Sequence, residues 1–269
     1  MRTLLHLSDP HFGTEQPAVV EALVQLAASQ RPEVVVVSGD VTQRARRAQF
    51  AAARAFLDRL GVPTRVVIPG NHDIPLFNVA ARILRPYGGY ARVFGRDLSP
   101  VHEDAELLVV GVNTTRPWRH KHGELSREQV QQSAARLRRG QLHQLKVVVV
   151  HQPVHVVTAA DVVNLVRTRE LSLDAALRRW ADAGADVVLG GHIHLPYAEP
   201  VDEQVLGDSR MLWVVQAGTA VSRRIRGGIP NSVNLLRHGG RRCTVERWDF
   251  HAGTDRFRQV ASQLLPLAR

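Results

Sequence analysis

The stretch Arg65-Val-Val-Ile-Pro-Gly-Asn-His-Asp73 joins a strand-sized apolar run to a polar turn. The run from Arg65 to Ile68 is rich in β-branched residues, and a continuous apolar run of this length suits a strand that is buried on both faces. The following Gly70-Asn71 pair favours a turn. The stretch therefore predicts a buried strand with an amide, an imidazole and a carboxylate just beyond its last residue.

The same succession of apolar run and polar residues occurs at four more places in the first two-thirds of the chain. The further runs are Leu4 to Leu7, Val34 to Val37, Val147 to Val150 and Val187 to Leu189. Stretches with apolar residues at helical spacing lie between them, and they are Ala18 to Ser29, Gln49 to Leu60 and, after a Ser172 cap, Leu173 to Ala183. Strands that alternate with helices predict an α/β fold whose helices cover the sheets.

The last quarter of the chain has strand patterns alone. The predicted strands are Met211 to Gln216, Ser232 to Arg237 and Arg241 to Phe250, with Gly239-Gly240 as a hairpin turn between the last two. No repeat and no linker rich in Ser, Gly or Pro divides the sequence. We therefore expect one domain over residues 1–269, with 87–100 and 153–168 as excursions near a site.

The composition is that of a globular protein without a cysteine scaffold. The 269 residues include 35 Lys and Arg against 25 Asp and Glu, a net charge of +10, and 44% are hydrophobic. These values exclude disordered, collagen-like and membrane-embedded chains. A lone Cys243 excludes an internal disulfide and a thiolate metal cluster, so any metal must be bound by nitrogen and oxygen atoms.

The two ends of the chain give weaker indications. The N-terminal apolar run is interrupted by His6 and Asp9 before it reaches the length of a signal-peptide core or a membrane span, so we expect a cytoplasmic protein with no membrane partner. Residues 219–269 hold 10 basic and 3 acidic side chains. Arg223, Arg224 and Arg226 form either a rim that attracts phosphate esters or a solvated arginine face.

Polar residues able to bind metals follow each of the five apolar runs. In chain order these motifs are Asp9-Pro10-His11, Gly39-Asp40, Gly70-Asn71-His72-Asp73, His151-Gln152-Pro153 and Gly190-Gly191-His192-Ile193-His194. Because ligands collect outside the carboxyl ends of buried strands, we expect the five turns to converge in space.

Convergence would bring together more metal-binding groups than one ion needs. The candidate metal ligands are Asp9, His11, Asp40, Asn71, His151, His192 and His194. Seven donors exceed the needs of one tetrahedral zinc and suit two ions about 3.5–4 Å apart. The two oxygens of Asp40 make it the candidate bridge. The expected ions are divalent or mixed-valence Mn, Fe, Co or Zn.

Such a pair of ions predicts hydrolysis of a phosphate ester. Two cations lower the pKa of a bound water and neutralise phosphoryl oxygens during an in-line displacement. A further group should protonate the leaving oxygen. His72 fits that role because it adjoins a ligand without being needed as one, and Asp73 is a candidate to orient it.

In this order, the five motifs resemble those of the calcineurin-like metallophosphoesterase superfamily. Ser38-Gly-Asp-Val-Thr-Gln43 and Pro69-Gly-Asn-His-Asp73 are most similar to the bacterial branch that includes the class III cyclic-nucleotide phosphodiesterases. The later segment from Gln216 to Arg224 also resembles segments common in that branch. The resemblance covers the chain from Asp9 to His194.

The resemblance implies both a fold and a ligand assignment. The fold would be a four-layer αββα sandwich, in which two mixed β-sheets pack together and helices cover both outer faces. One metal would be bound by Asp9, His11, Asp40 and His194, and the second by Asp40, Asn71, His151 and His192. The resemblance also gives His72 the leaving-group role.

Other residues have weaker indications. His6 lies inside the first strand and is expected in the core. His120 and His122 are expected on an exposed basic loop, with phosphate contact as the alternative. His155 is a candidate substrate contact, and Arg44 is expected in the first turn of a surface helix, with phosphate binding as the alternative.

The most consistent function is hydrolysis of a small phosphodiester such as a 3',5'-cyclic nucleotide. The alternatives are a glycerophosphodiester hydrolase, a nucleotide phosphomonoester hydrolase and a nuclease of the same superfamily. A scaffold without catalysis is disfavoured because the ligand set and His72 are all present. The expected partner is a small phosphate ester, nucleic acid is a weaker alternative, and the oligomeric state is left open.

Overall fold

The computed structural model describes residues 1–240 and 242–267. The first half of the chain contains β1 (Arg2–Leu7), α1 (Pro17–Gln30), β2 (Val34–Val37), α2 (Arg47–Arg59), β3 (Thr64–Val67), α3 (Val79–Leu84), α4 (Gly88–Phe94), β4 (Val101–Glu103), β5 (Leu107–Gly111), β6 (Glu124–Ser126) and α5 (Arg127–Arg139). The second half contains β7 (Leu145–Val149), β8 (Arg167–Arg169), α6 (Leu173–Asp182), β9 (Val187–Gly190), β10 (Tyr197–Pro200), α7 (Glu203–Leu206), β11 (Trp213–Gln216), β12 (Ser232–Gly239), β13 (Arg242–His251) and β14 (Arg256–Pro266). Short 3-10 helices cover Asn71–Asp73 and Ala159–Asn164.

The strands form two six-stranded mixed sheets. The first sheet has the order β14-β13-β12-β1-β2-β3, in which β1, β2 and β3 are parallel and the other neighbours are antiparallel. The second sheet has the order β10-β11-β9-β7-β5-β4, with a parallel centre and an antiparallel strand at each edge. Strands β6 and β8 form a separate parallel pair.

Alternating side chains of the central strands enter different layers of the molecule. In β2, Val34 and Val36 belong to the core between the two sheets, whereas Val35 and Val37 face α1 and α2. In β7, Val147 and Val149 belong to the same central core, and Val148 faces α5 and α6. Since side chains of a strand alternate between its faces, a continuous apolar run is what each buried strand requires.

This arrangement confirms the expected α/β fold with two mixed sheets packed together and helices on both outer faces. The predicted helix cap is also present, because Ser172 Oγ accepts a hydrogen bond of 3.1 Å from the Ala175 amide at the start of α6. His6 is buried in β1 next to Ser38 Oγ, as expected for a core residue. Arg241, predicted to begin a strand, lies outside the described residues.

The expectation that residues 87–100 lie near the site needs correction, and one strand was not predicted. Residues 87–100 contain α4, whose Tyr90 is buried in one core cluster with Phe50 of α2, so this segment packs against the fold rather than against the predicted site. The chain also has β14, which pairs with β13 although most of its residues are exposed. Among residues 1–240 and 242–267, no helix has both the length and the apolar character needed to cross a membrane.

Candidate metal centre

The five predicted turns meet at one edge of the molecule, where the carboxyl ends of strands from both sheets come together. The first sheet contributes the turns after β1, β2 and β3, and the second contributes the turns after β7 and β9. All seven candidate metal ligands follow these five strands, and the structure brings their side chains into two adjoining groups.

The first group consists of Asp9, His11 and His194. The Nε2 atom of His194 lies 3.2 Å from Asp9 Oδ1 and 3.2 Å from His11 Nε2, while His11 Nε2 lies 3.6 Å from Asp9 Oδ1. Asp9 and His11 are fully buried and His194 nearly so. Three donor atoms therefore surround one small space.

The second group consists of Asp40, Asn71, His151 and His192. The Nε2 atom of His151 lies 3.1 Å from Asn71 Oδ1 and 3.4 Å from Asp40 Oδ1. The His151 and His192 rings are in edge contact, with centroids 5.1 Å apart. This group adjoins the first one through the carboxylate of Asp40.

The two oxygens of Asp40 face different groups. Oδ1 lies 3.4 Å from His151 Nε2, and Oδ2 lies 3.7 Å from His11 Nε2. A carboxylate in this position can contact two cations at once. The geometry is therefore compatible with the bridging role predicted for Asp40.

Hydrogen bonds on the far side of two rings direct their lone pairs into the site. His151 Nδ1 lies 2.8 Å from the Ser38 carbonyl oxygen, and His194 Nδ1 lies 2.6 Å from the Arg224 carbonyl oxygen. A carbonyl oxygen can only accept, so each Nδ1 donates a proton. A backbone or carboxylate acceptor behind the ring is typical of histidines that bind metals.

Inside both groups, nitrogen and oxygen atoms that can act as acceptors lie close together. Whether a cation fits between them can be judged from these contacts. In neutral His151 the Nε2 lone pair points at the oxygens of Asn71 and Asp40. The same holds for His194 Nε2 and Asp9 Oδ1. Contacts between acceptors need a positive charge between them, supplied by a proton or a metal ion. The donor set of imidazole nitrogens and carboxylate and amide oxygens fits two transition-metal ions.

The electrostatics favour the protonation state that metal binding requires at Asp9, Asp40, His11 and His192, whereas, despite burial, nearby carboxylates raise the pKa of His151 and of His194. Burial alone would raise the pKa of Asp9 and Asp40, but neighbouring histidines hold both pKa values well below their usual range. Burial lowers the pKa of His11 to about 4 and that of His192 to about 3. Burial opposes the proton on His151, but the charge of Asp40 raises its pKa to about 9, so here a metal ion would displace a proton.

The backbone at the site adopts a conformation that costs energy. Five candidate ligands have a positive φ, and they are Asp9, His11, Asp40, His192 and His194. Left-handed backbone at residues other than glycine is concentrated at functional sites. Gly39, at φ +103°, precedes Asp40, and a Cβ there would lie 2.5 Å from the His151 ring, so this turn requires glycine.

His72 lies at the mouth of the site with one ring nitrogen fixed and the other facing the cleft. Its Nδ1 lies 3.0 Å from the Gln43 carbonyl oxygen and therefore donates to it. Its Nε2 lies 4.0 Å from Asp40 Oδ2 and 3.1 Å from Arg224 Nη1. The side chain also forms a possible third ligand group with His11 and Asp40.

Asp73 does not contact the His72 ring in the described structure, so its expected role in orienting that ring needs correction. Its carboxylate accepts hydrogen bonds from the amides of Val41, Thr42 and Gly70 at 2.8–3.0 Å and from Thr42 Oγ1 at 2.8 Å. Burial and the charge of Asp40 raise the pKa of Asp73 to about 7. Asp73 thus joins two ligand-bearing turns to each other.

Replacing Asp73 with alanine is expected to destabilise the fold. Asp73→Ala would leave three buried amides without their acceptor, and unfolding in urea should show a loss of roughly 3 kcal/mol or more. The exposed Asp208 provides the matched control, since Asp208→Ala should leave the unfolding midpoint unchanged. Unchanged stability of Asp73→Ala combined with lost activity would restore a direct catalytic role.

A cleft of about 630 Å³ opens in front of the two groups. Its cationic and imidazole side chains include Arg44, His120, Lys121, Arg224 and Arg226. Arg226 is paired with Asp161 of the 153–168 excursion at 2.8 Å, so that excursion does form part of the cleft wall, as expected.

The lining of the cleft can be compared with the expectations for His120, Arg44, His155 and His122. His120 lies on an exposed loop, as expected, and it also lines the cleft. Arg44 lies ahead of α2, which begins at Arg47, and lines the cleft as well. The backbone oxygen of His155 accepts from the Tyr197 hydroxyl, and neither His155 nor His122 is among the lining residues.

Arg224 has a functional position that the motifs alone did not assign. Its carbonyl accepts from His194, and its guanidinium donates to His72 Nε2 at 3.1 Å and to Gln43 Oε1 at 3.2 Å. It forms no ion pair with any described residue. The sequence feature that could have indicated this position is the segment from Gln216 to Arg224. In the same segment, Thr219 Oγ1 donates a hydrogen bond of 2.6 Å to the Asp9 carbonyl.

The comparison with protein families agrees with this geometry. The model described as calcineurin-like phosphoesterase matches residues 2–196, more than half of the chain. The chain belongs to that family. The family expected from the five motifs is therefore confirmed.

A curated relative and two solved structures add detail. Over 81 residues, this family member is 35% identical to the glycerophosphodiester phosphodiesterase GpdQ of Enterobacter lignolyticus, a match that covers 26% of this chain and only 29% of that relative. A purple acid phosphatase from yellow lupin seeds superposes with a TM-score of 0.70 at 12% identity, covering 98% of this chain and 53% of the lupin chain. A dimetal phosphatase from Danio rerio gives 0.66 at 13% identity, covering 99% of each chain. At these identities, the two structures support the fold alone.

Proposed function

We propose that the protein hydrolyses small phosphodiesters with two metal ions bound by the seven side chains of the candidate centre. The observation that carries this proposal is the convergence of nitrogen and oxygen atoms in the site, where the Nε2 atoms of His151 and His194 lie 3.1–3.4 Å from oxygen atoms of Asn71, Asp40 and Asp9. One ion would be bound by Asp9, His11, Asp40 and His194, and the other by Asp40, Asn71, His151 and His192. Manganese, iron, cobalt and zinc all suit such ligands.

When bound, the two ions would supply a water of lowered pKa and neutralise the charge on the phosphoryl oxygens. The remaining steps belong to the residues of this chain. In its imidazolium form, with Nδ1 donating to the Gln43 carbonyl, His72 would give the Nε2 proton to the leaving oxygen, and the Arg224 guanidinium would turn from Nε2 to the substrate. Arg224, beside that atom and without a carboxylate partner among the described residues, would bind a phosphoryl oxygen.

The proposed substrate is a small phosphodiester, either cyclic or with a small alcohol as one of its ester groups. A 3',5'-cyclic nucleotide is supported by the similarity of residues 38–43 and 69–73 to the class III branch, and a glycerophosphodiester is supported by the named activity of the curated relative. Both carry the single phosphodiester charge that the two proposed ions and Arg224 would neutralise.

Metal-dependent turnover of defined esters tests this proposal. The chelator-treated protein should lack activity on bis(p-nitrophenyl) phosphate and regain it when Mn²⁺, Co²⁺ or Zn²⁺ is added. Cyclic AMP, glycerophosphocholine and p-nitrophenyl phosphate should then be compared by kcat/KM. We expect a higher value for a diester than for the monoester.

Elemental analysis provides the control for this assay. A folded preparation with two bound metals per chain but no hydrolysis of any diester would contradict the proposal. A higher kcat/KM for the monoester would instead assign the protein to phosphomonoester hydrolysis.

A further inference from the structure

A patch of exposed apolar side chains surrounds α3, beside the mouth of the cleft. We call it the α3 patch, and it consists of Phe77, Val79, Ile83, Leu84 and Trp118, which are 62–78% exposed. Helix α3 has no buried residue at all. A helix that turns large apolar side chains to solvent without contributing to a core indicates a contact surface.

Specific contacts connect the α3 patch to the candidate site. The Arg44 guanidinium, which lines the cleft, lies 5.4 Å from the centre of the Phe77 ring. Arg82 of α3 donates to the Arg119 carbonyl at 2.9 Å, next to Trp118. Any surface that covers the α3 patch therefore also faces the entrance of the cleft.

The surroundings of the α3 patch are strongly basic. Arg54, Arg116 and Arg119 are paired with Asp58 or Glu124, but five further arginines, and no described Asp or Glu, line the surface beside the α3 patch. A groove of about 520 Å³ runs beside Phe77. Its arginines form no ion pair with a described residue, and they are Arg44, Arg46, Arg47, Arg85 and Arg92. A partner that matches this surface would offer anionic groups to the arginines and apolar groups to the α3 patch.

We propose that the α3 patch docks on an anionic lipid surface. Aliphatic and aromatic side chains enter the boundary between head groups and acyl chains, while arginines beside them bind the lipid phosphates. Among the described residues no helix could cross a membrane, but a protein that binds the membrane surface does not need such a helix. This differs from the expectation of no membrane partner.

Two other occupants of the α3 patch fit it less well, and they are a second copy of this chain and single-stranded nucleic acid. A symmetric contact between two copies would bring two arginine-rich surfaces together, and like charges repel across such a contact. Single-stranded nucleic acid would neutralise the arginines and stack on Phe77 and Trp118, but Val79, Ile83 and Leu84 offer no stacking face. An anionic lipid surface satisfies both the arginines and the aliphatic residues.

Co-sedimentation of the full chain with vesicles tests the proposal independently of any hydrolytic activity. The protein should sediment with vesicles of phosphatidylcholine and phosphatidylglycerol, bind pure phosphatidylcholine vesicles far less, and be released partly by high salt. The variant Phe77→Ser/Ile83→Ser/Leu84→Ser should lose binding by about tenfold or more, because each apolar side chain contributes to insertion.

Leu142 gives the matched control because it is 82% exposed and lies before β7, at the edge opposite the site. Leu142→Ser should bind like the unaltered protein, and both variants should keep the same thermal midpoint. Equal binding to both vesicle types, no binding, or equal losses in the two variants would overturn the proposal. Light scattering that shows a dimer in the unaltered protein and a monomer in the triple variant would assign the α3 patch to a contact between copies. Binding of single-stranded DNA, lost in the triple variant and accompanied by no vesicle binding, would assign it to nucleic acid.

Discussion

Asp40→Asn is expected to reduce phosphodiester hydrolysis by on the order of a thousandfold or more, because both proposed metal positions share this carboxylate. Its two oxygens lie 3.4 Å from His151 Nε2 and 3.7 Å from His11 Nε2, and an amide offers only one oxygen in their place. Elemental analysis of the purified variant should find fewer than two metals per chain. Steady-state kinetics at saturating metal measures the loss of activity.

The exposed Asp58 provides the matched control for this substitution. Asp58 pairs with Arg54 and Arg65 on the surface, away from the cleft. Asp58→Asn should keep both metals and full activity. Two metals and undiminished turnover in Asp40→Asn would exclude a bridge at this position.

His72→Ala is expected to lower kcat by roughly 10²–10⁴ while leaving the metal content unchanged, because general acid catalysis has about this magnitude. The loss should be larger for a diester with an alkyl alcohol than for a p-nitrophenyl ester, since the weaker leaving group depends more on proton donation. Comparing kcat for the two ester types in the variant and the unaltered protein measures this difference.

The metal content decides between two roles for His72. The side chain also groups with His11 and Asp40, so it has the position of a ligand as well as that of an acid. Loss of a metal in His72→Ala, with equal losses for both ester types, would assign it to the ligands. The exposed His251 serves as control, and His251→Ala should retain activity on both esters.

The convergence of the turns that carry the candidate metal ligands was predictable because the sequence signal is local. Asp40 and His194 each follow a buried apolar strand within a few residues, and parallel strands bring such turns to one edge. Strand β5 is equally apolar but ends without metal-binding side chains, so the site pattern does not point to it. Strand β14 is mostly exposed and has no continuous apolar run of strand length, and pairing with β13 stabilises it.

The roles of Arg224 and Asp73 depended on contacts that the local pattern does not contain. Arg224 meets His72 across 152 residues of chain, and Asp73 binds the amides of Val41 and Thr42 from a neighbouring turn. A sequence motif shows which groups lie near a strand end. It does not show which of them faces a substrate and which one fixes a backbone, because that depends on the side-chain direction in the folded chain.

The division of the ligands between the two sheets has a mechanical consequence. Asp9 and His11 come from the first sheet and His194 from the second, while Asp40 from the first sheet meets His151 and His192 from the second. Each bound ion would therefore cross-link the two sheets at the edge where they meet. Resistance to unfolding then rises with metal occupancy, since a ligand that binds only the folded chain stabilises it.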